Sequence, residues 1–538
     1  MPPPPSPAGS SLDAGTPPTP SGRSRGRSIS SGGVEANVMR QLETLRGLLN
    51  TLRSLPASSA LGEQILQSAV GAFASLRKLH DGQTSAANGE VLPMPSPYED
   101  PINEEDGVFP LLVAFMGPHI PPPLQIEAAH TLTNLTGAAG SDASDMLVKS
   151  GGVPAVLQLL LSPSGDVREQ AVWLLANVAA DGGVWRTALL EARVELPHNQ
   201  GMIGLVALLV RHAESAEVQA EHDRAARAGL RKRDTFAETG QFLDHVTYTD
   251  AKQQTRFLHH WGRRVARALA NLCSVRVPGE PAASLSQLQP ALPLLGKLLV
   301  IDDKEVLDYA LLALDAVCGA VTDDGQDTHA AIRAIMRCCD EVKRGVVIRT
   351  SNEMAKRLVA LLSYPVVFVR ARALCVVARL CAVSGHVVVG DDAEVTELID
   401  AGLLEALLLL LHANSHTEAC ILRHSLRALA NICAGTTAQL DAVFAVDCHT
   451  RRTPQGRFFP LVCELISSLS IATQSDLIEE AVWVLTNASH SFAHPPPGAT
   501  RYALLLPPLT VCLCCLTSIT TCRVCGLFCW LATHEHKH

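Results

Sequence analysis

Two Trp/Asn pairs in the sequence place an indole and an amide four residues apart. Trp173 and Asn177 lie in DVREQAVWLLANVAAD, and Trp483 and Asn487 lie in EEAVWVLTNASH. Residues four apart share one face of a helix, so each pair predicts a helix that presents a flat ring beside an amide. The amide can donate to a peptide carbonyl and accept from a peptide N–H, and the ring can pack against a lysine stem and attract its ammonium group by cation–π interaction. This chemistry suits an extended cationic peptide.

The same phrase recurs along the chain. A single Trp in a core and a single Asn on a surface would not recur at one fixed spacing, so the recurrence favours a shared role. Further copies place an Asn, or in two weaker copies an Asp or an Arg, at the same register: Asn134, Asn271, Asn431, Asp315 and Arg379. Each copy follows a Gly or Pro turn and an apolar run such as GGVPAVLQLLL or AGLLEALLLLL. About 43 residues separate Asn134 from Asn177, the length of an armadillo or HEAT unit. Such units cannot bury their apolar faces alone, so we predict an all-α solenoid whose concave surface is lined by the last helix of every repeat.

Composition and spacing divide the rest of the chain. Residues 36–60 carry Leu at helical spacing beside three Arg, which predicts an amphipathic helix. The expected parts are a disordered Pro/Ser/Gly-rich segment at 1–35, this helix at 36–60, about eight repeats over 65–490 with insertions near 212–260 and 322–356, and an apolar Cys-rich tail at 491–538.

The tail allows three interpretations. Residues 503–522 contain no charge over a length that can cross a membrane, which would make a tail anchor, although Pro507 and Pro508 weaken it. Cys522, Cys525 and Cys529 with the terminal His residues would make a metal-binding tail, but a single CxxC is a weak signal. The third interpretation, which we favour, is a mispredicted end such as translated intron.

The repeat phrases EQAVWLLANVAAD, EEAVWVLTNAS, LTNL and LANLC, with PINEEDGVFPLL, resemble importin-alpha over roughly residues 65–490. That family is the armadillo-repeat adaptor of nuclear import, a right-handed superhelical solenoid. The resemblance implies a non-enzymatic protein of cytoplasm and nucleus. It also implies two kinds of partner, cargo proteins bearing Lys/Arg-rich localisation signals and importin-beta. The Arg-poor 36–60 segment is a diverged form of the importin-beta-binding segment, or a plain helix docked on the first repeat.

The resemblance also implies which residues bind cargo. The larger site would use Trp173 and Asn177, with Gln170 and Asp181 one turn to either side to meet a lysine, and Asn134 and Asn271 flanking them. The smaller site would use Trp483 and Asn487, with Glu480 one turn before and Asn431 in the neighbouring repeat. Where the family has Trp elsewhere on the ladder, this chain has other residues: His130, Arg267, Leu311, Cys375 and Arg427.

Those departures keep a second function open. Arg267 and Arg427 would oppose a basic ligand unless each is itself paired. The rival to the import adaptor is therefore a general armadillo scaffold, cytoskeletal or membrane-associated, that binds another extended peptide. A sharper hypothesis places the basic run 224–233 of the first insertion over the ladder as an autoinhibitor.

Other function classes find little support in the sequence. A formal charge of −9 argues against a general nucleic-acid binder. No phosphate-binding Gly-rich loop and no HExxH spacing occurs, so we expect no enzyme, no cofactor and no metal site in the repeats. Absence of an N-terminal apolar signal favours a reducing compartment, where Cys273, Cys318, Cys381 and Cys433 would serve as packing residues.

Overall fold

The computed structural model describes residues 31–54, 61–84, 107–139, 141–197, 200–213, 262–275, 280–320, 329–339, 341–343, 346–348, 353–382, 393–413, 418–449, 458–469 and 471–490. The disorder predicted for 1–30, the autoinhibitor predicted within 214–261 and the three interpretations of the tail at 491–538 lie outside the described residues. Residues 31–35, expected to be disordered, instead form the first turns of a helix.

From residue 141 onward, the repeating unit is two shorter helices followed by a long one. The first repeats comprise α1 (Ser31–Ser54) and α2 (Leu61–Thr84), then α3 (Val108–Ala114) and α4 (Pro122–Ala139), then α5 (Ser141–Lys149), α6 (Gly152–Leu160) and α7 (Gly165–Ala180). The middle repeats comprise α8 (Gly183–Glu191), α9 (205–213) and α10 (262–273), then α11 (Leu285–Leu288), α12 (Leu292–Leu298) and α13 (Lys304–Cys318). The last comprise α14 (Ala330–Arg337), α15 (Glu353–Leu361) and α16 (Val367–Leu380), then α17 (Ala393–Asp400), α18 (Leu403–Ala413) and α19 (Ala419–Ala434), then α20 (Thr437–His449), α21 (Phe458–Ser468) and α22 (Ile471–His490).

The long helices stack side by side and carry the ladder positions. Neighbouring pairs among α2, α4 and α7 pack together, and so do those among α13, α16, α19 and α22. Helix α10 joins the two groups, since a Cβ at Gly262 would lie 3.5 Å from Val306 of α13, and Asn271 bonds to α7. A continuous core of Leu, Ala and Val side chains runs along the inside of this stack. The predicted all-α armadillo solenoid is confirmed.

Local sequence explains where the helices begin. Asp303 caps α13 by accepting hydrogen bonds from the backbone amides of Glu305 and Val306, at 3.0 and 3.1 Å. Gly151 supplies the left-handed backbone conformation before α6, with φ at 76°. At Gly152 a Cβ would lie 2.7 Å from the Leu147 carbonyl oxygen, so the turn between α5 and α6 closes only around glycine.

Two antiparallel hairpins depart from the all-helical expectation. Strands β1 (Arg193–Glu195) and β2 (Met202–Gly204) join α8 to α9, and β3 (Glu341–Lys343) and β4 (Val346–Ile348) join α14 to α15. Both hairpins extend the link between the first and second helix of a repeat. Residues 330–337 of the second predicted insertion form α14, which packs on α13 and α15 as an ordinary repeat helix.

The N-terminal helix packs on the first repeat. Leu42, Leu45 and Leu49 of α1 are buried, and α1 packs against α2. Arg40 and Arg53 are exposed on the same helix. Among the described residues, the helices include none with both the length and the hydropathy needed to cross a bilayer.

Candidate peptide-binding groove

The ladder residues form a line of hydrogen bonds between successive long helices. The side-chain amides of Asn177, Asn271, Asn431 and Asn487 each donate to a backbone carbonyl of the preceding ladder helix. The acceptor always belongs to the residue immediately before the preceding ladder position, at 2.7 to 3.0 Å, as follows: Thr133, Ala176, Ala378 and Ala430. One amide hydrogen is therefore used to join repeats, which leaves the second hydrogen and the carbonyl oxygen for other partners.

The ladder Asn residues differ in exposure. Asn134, Asn177, Asn431 and Asn487 are half-buried, whereas Asn271 is buried, with 2% of its surface exposed. Asn177 approaches the preceding helix over Gly137, where a Cβ would lie 3.3 Å from its Nδ2 atom. The role predicted for Asn271 as a flanking ligand contact therefore requires its side chain to become more accessible than in this structure.

Trp173 lies between side chains contributed by both neighbouring ladder helices. The ring of His130 on α4 stacks on it with centroids 6.3 Å apart and an interplanar angle of 24°. From α10, the guanidinium carbon of Arg264 lies 4.6 Å from the indole centroid. Arg264 Nη1 also bonds the Glu169 carboxylate of α7 at 2.8 Å. The indole face thus binds a cation in this structure, and the chain itself supplies that cation.

A cleft of ≈ 240 Å³ opens beside Trp173, lined by Trp173, Ala176, Arg263, Arg264, Arg267, Glu305 and Tyr309. Arg263 pairs with Asp303 and Glu305, the closest contact being Nη2 to Asp303 Oδ2 at 2.6 Å. This pairing raises the pKa of Arg263, mainly through the Asp303 hydrogen bond. Arg267 Nη2 donates to Asn177 Oδ1 at 3.3 Å, so the acceptor predicted to bind a peptide N–H already has a partner.

The two side chains predicted to meet a lysine at this site have partners within the protein. Gln170 is buried and donates to Thr133 Oγ1 at 2.9 Å, so it joins α7 to α4. Asp181 accepts a hydrogen bond from Ser144 of α5 and is half-buried. Burial raises the pKa of the Asp181 carboxyl, and the Ser144 hydrogen bond opposes part of that rise. A carboxylate in this setting gains from a nearby cation.

At the second site the predicted carboxylate is also paired. Trp483 and Asn487 are half-buried on α22, with Glu480 one turn before Trp483. Arg427 of α19 binds Glu480 through both Nε, at 2.9 Å, and Nη2. The Glu480 hydrogen bond raises the pKa of Arg427. His424 lies one turn before Arg427 on the same helix. Its pKa is lowered, mainly by burial and then by the positive charges of Arg427 and Arg423.

Ion pairs of the same kind join ladder helices between the two sites. Asp315 and Arg379, the residues in place of ladder Asn, bind each other at 2.8 Å across α13 and α16. Asp308 and Arg372 pair at 3.2 Å between the same helices. Cys375, in place of a ladder Trp, donates to Asp315 at 3.3 Å. One signal in the sequence indicates these contacts, namely opposite charges at equivalent registers of adjacent repeats.

The packing role predicted for the ladder cysteines agrees with their positions. Cys273, Cys381 and Cys433 are buried and Cys318 is half-buried. Burial raises the pKa of each of the three buried thiols to about 12. Over the described ranges, His, Cys, Asp and Glu side chains form no group suited to hold a metal ion.

Comparisons with known proteins identify an armadillo-type repeat in the chain. The armadillo/beta-catenin-like repeat family matches residues 140–180, which include α5, α6 and α7. The fold is an armadillo-repeat solenoid. Importin subunit alpha-1b of Oryza sativa is 32% identical over 60% of this chain and 44% of its own length. Importin subunit alpha-1a of the same species is 30% identical over 64% of this chain and 49% of its length, and importin subunit alpha-2 of Arabidopsis thaliana is 31% identical over 43% and 33%.

The chain is thus similar in sequence to importin-alpha subunits, and it spans about half or less of the length of the curated relatives it matches. Among solved structures, an engineered protein is similar over 90% of this chain and 95% of its own, with 22% identity and a TM-score of 0.47. A designed armadillo repeat protein in complex with the peptide (KR)4 is 15% identical over 71% of this chain and all of its own, with a TM-score of 0.32.

Proposed function

We propose that this protein is a nuclear import adaptor that holds the Lys/Arg-rich localisation segment of a cargo protein along its ladder helices. The observation that carries the proposal is the cation bound on Trp173, one turn from the ladder amide of Asn177. A site that holds the Arg264 guanidinium over an indole and beside Glu169 has the chemistry to hold a ligand lysine in the same way.

The proposed binding mode assigns one task to each residue type. Asn134, Asn177, Asn431 and Asn487 fix the peptide backbone, because each retains an amide hydrogen after bonding, or lies at the same register as residues that do. Trp173 and Trp483 contact lysine stems, whose methylene groups lie along the rings. Asp181, with its raised pKa, and Glu480 attract ammonium groups. The Asn contacts hold any extended segment, and the acids select basic ones.

A titration of a fluorescein-labelled (Lys-Arg)4 peptide into the full chain, followed by fluorescence anisotropy, tests this proposal. Binding should weaken with salt, because exposed ion pairs are screened over about 10 Å at 0.1 M ionic strength. Asn177→Ala should weaken binding by about two- to tenfold and Trp173→Ala by about two- to fivefold.

Two matched variants control for non-specific effects. Asn50→Ala removes an exposed amide on α1, and Trp185→Ala removes a half-buried indole on α8, both outside the ladder helices. Neither should change peptide affinity in samples with an unchanged circular dichroism spectrum. Saturable binding that is indifferent to Trp173→Ala and Asn177→Ala would contradict the proposed site.

The link to importin-beta is proposed for the outer face of α1. Its apolar face packs on α2, whereas Arg40 and Arg53 are exposed and available to an acidic partner. Retention of the chain on immobilised importin-beta should be lost in the double variant Arg40→Glu, Arg53→Glu. Retention of the variant at the wild-type level would remove α1 from the proposal. A fluorescent fusion of the full chain should accordingly appear in both cytoplasm and nucleus.

One observation favours a second candidate function, an armadillo scaffold that binds a neutral extended peptide. At the second site the Glu480 carboxylate is bound by Arg427 through two nitrogens, so less of its charge is available to a ligand lysine. In the same anisotropy assay, a neutral peptide of equal length that binds as tightly as (Lys-Arg)4, at all salt concentrations, would support the scaffold.

A further inference from the structure

We propose that Arg264 and Arg427 are specificity-determining residues that compete, within the chain, for the two positions that a ligand cation would take. The inference rests on the proposed function and deepens it. Each arginine lies on a ladder helix next to the one that carries the matched Trp, and each reaches across to that helix. Together they lower the affinity for basic segments and restrict binding to segments that displace them.

At the first site the competition concerns the indole face. The Arg264 guanidinium lies 4.6 Å from the Trp173 centroid and is held there by Glu169 at 2.8 Å. Its neighbour Arg267 binds the Oδ1 atom of Asn177. A lysine entering along α7 must therefore exchange with one guanidinium at the ring, while the peptide backbone must exchange with the other at the amide.

At the second site the competition concerns the carboxylate. Arg427 donates from both Nε and Nη2 to Glu480 Oε1, and Glu480 stands one turn before Trp483. In both sites an arginine of an adjacent ladder helix thus occupies a position that a ligand cation would take. The arginine lies on the following helix at the first site and on the preceding helix at the second.

These two contacts are strong enough to lower the affinity for a basic peptide measurably, and weak enough for a ligand cation to displace the arginines. The Arg264 side chain is 23% exposed and the Arg427 side chain 49%, so solvent screens both pairs. Cation–π contacts at exposed sites and exposed ion pairs each correspond to about a two- to fivefold change in an equilibrium constant. Removing one competitor should therefore raise the affinity for a basic peptide by about that factor.

The test compares the full chain with Arg264→Ala, Arg427→Ala and the double variant in the (Lys-Arg)4 anisotropy titration. Each single variant should bind about two- to fivefold more tightly at its own site, and the double variant should show that gain at both sites. Arg264→Met keeps most of the aliphatic stem and should give the same gain, so a packing defect in the alanine variant would not obscure the result.

Arg372→Ala is the matched control, because it removes the same charge and the same kind of ion pair. Arg372 pairs with Asp308 between α13 and α16, seven residues before a ladder position as Arg264 is. Within the described residues, the cation–π contact on Trp173 comes from Arg264 and not from Arg372. Equal gains in Arg372→Ala and Arg264→Met would mean that net charge alone raises the affinity and would overturn the inference.

The outcomes separate the inference from the function on which it rests. Wild-type binding that falls in Trp173→Ala but does not rise in Arg264→Met or Arg427→Ala would refute the competition and leave the adaptor standing. If neither the wild-type chain nor the double variant binds the peptide, the proposed function fails and the inference with it.

Discussion

The buried ion pair between Arg186 and Glu280 gives the sharpest prediction about stability. Arg186 of α8 is 0% exposed and Glu280 is 1% exposed. The same guanidinium donates to the Leu272 carbonyl at 3.0 Å and to the Pro281 carbonyl. It therefore joins the first helix of its repeat to the last turn of ladder helix α10 and to the segment that follows it. Glu280 supplies the only negative charge in this set of contacts.

Replacing Glu280 by Gln removes the charge and keeps the shape. A buried guanidinium without its carboxylate costs about 3–5 kcal/mol. The two backbone carbonyls stay in place, so we expect Glu280→Gln to lower the free energy of unfolding by about 3 kcal/mol, the lower end of that range. The double variant Arg186→Met, Glu280→Met removes both charges and should recover most of that loss, since buried ion pairs are often replaced by apolar residues at little cost.

Urea unfolding followed by far-ultraviolet circular dichroism measures the change as a lower midpoint. The matched control is Asp145→Asn, which breaks the exposed pair with Lys149, whose side chains are 39% and 69% exposed, and should change the free energy of unfolding by less than about 0.5 kcal/mol. If Glu280→Gln unfolds within the error of the control variant, the carboxylate does not stabilise Arg186 and the reasoning is wrong.

Two further predictions concern pH and glycine. Burial, followed by the positive charge of Arg168, lowers the pKa of His212 from 6.5 to about 4. As the pH falls, His212 is therefore protonated in the unfolded chain before it is protonated in the folded one. The free energy of unfolding should decrease between pH 6.5 and about 4, by at most about 3 kcal/mol. His212→Gln should remove that part of the fall in a series of thermal melts. Gly152→Ala should destabilise by about 1–3 kcal/mol because its Cβ would meet Leu147, whereas Gly47→Ala, with no atom within 4 Å in the middle of α1, should stabilise by about 0.5–1 kcal/mol. Equal midpoints for these two variants in urea would contradict the glycine argument.

The long helices were predictable because their pattern repeats. The register of Asn134, Asn177, Asn431 and Asn487 fixes one face of each ladder helix, and the structure places all four half-buried along one stack. The short first helices escaped prediction, since a nine-residue segment such as GVWRTALLE in α8 carries too few turns for a clear period. Three-residue strands such as Arg193–Glu195 carry even less alternation.

The partners of the site residues were not predictable from the helical period. A period assigns Gln170 and Asn271 to a face, but their burial depends on contacts with the preceding ladder helix, to Thr133 and Ala176 respectively. The sequence raised the question of whether Arg427 is itself paired. The structure answers it with Glu480, a residue expected to bind ligand instead.

The ladder helices carry several arginines and few Trp residues, and both features affect the charge of the same surface. Each described pair of adjacent ladder helices from α7 to α22 is joined by at least one Arg-carboxylate contact, in this order: Glu169–Arg264, Arg263–Asp303, Asp308–Arg372, Arg370–Glu418 and Arg427–Glu480. In the Asp308–Arg372 and Arg427–Glu480 pairs the arginine side chains are 37% and 49% exposed, so these two pairs add little stability. The consequence of these Arg-carboxylate contacts is electrostatic, because carboxylates that would attract a basic peptide are already partly neutralised. Under the proposed function, backbone contacts to the Asn amides and a close fit at Trp173 would then decide which segment binds.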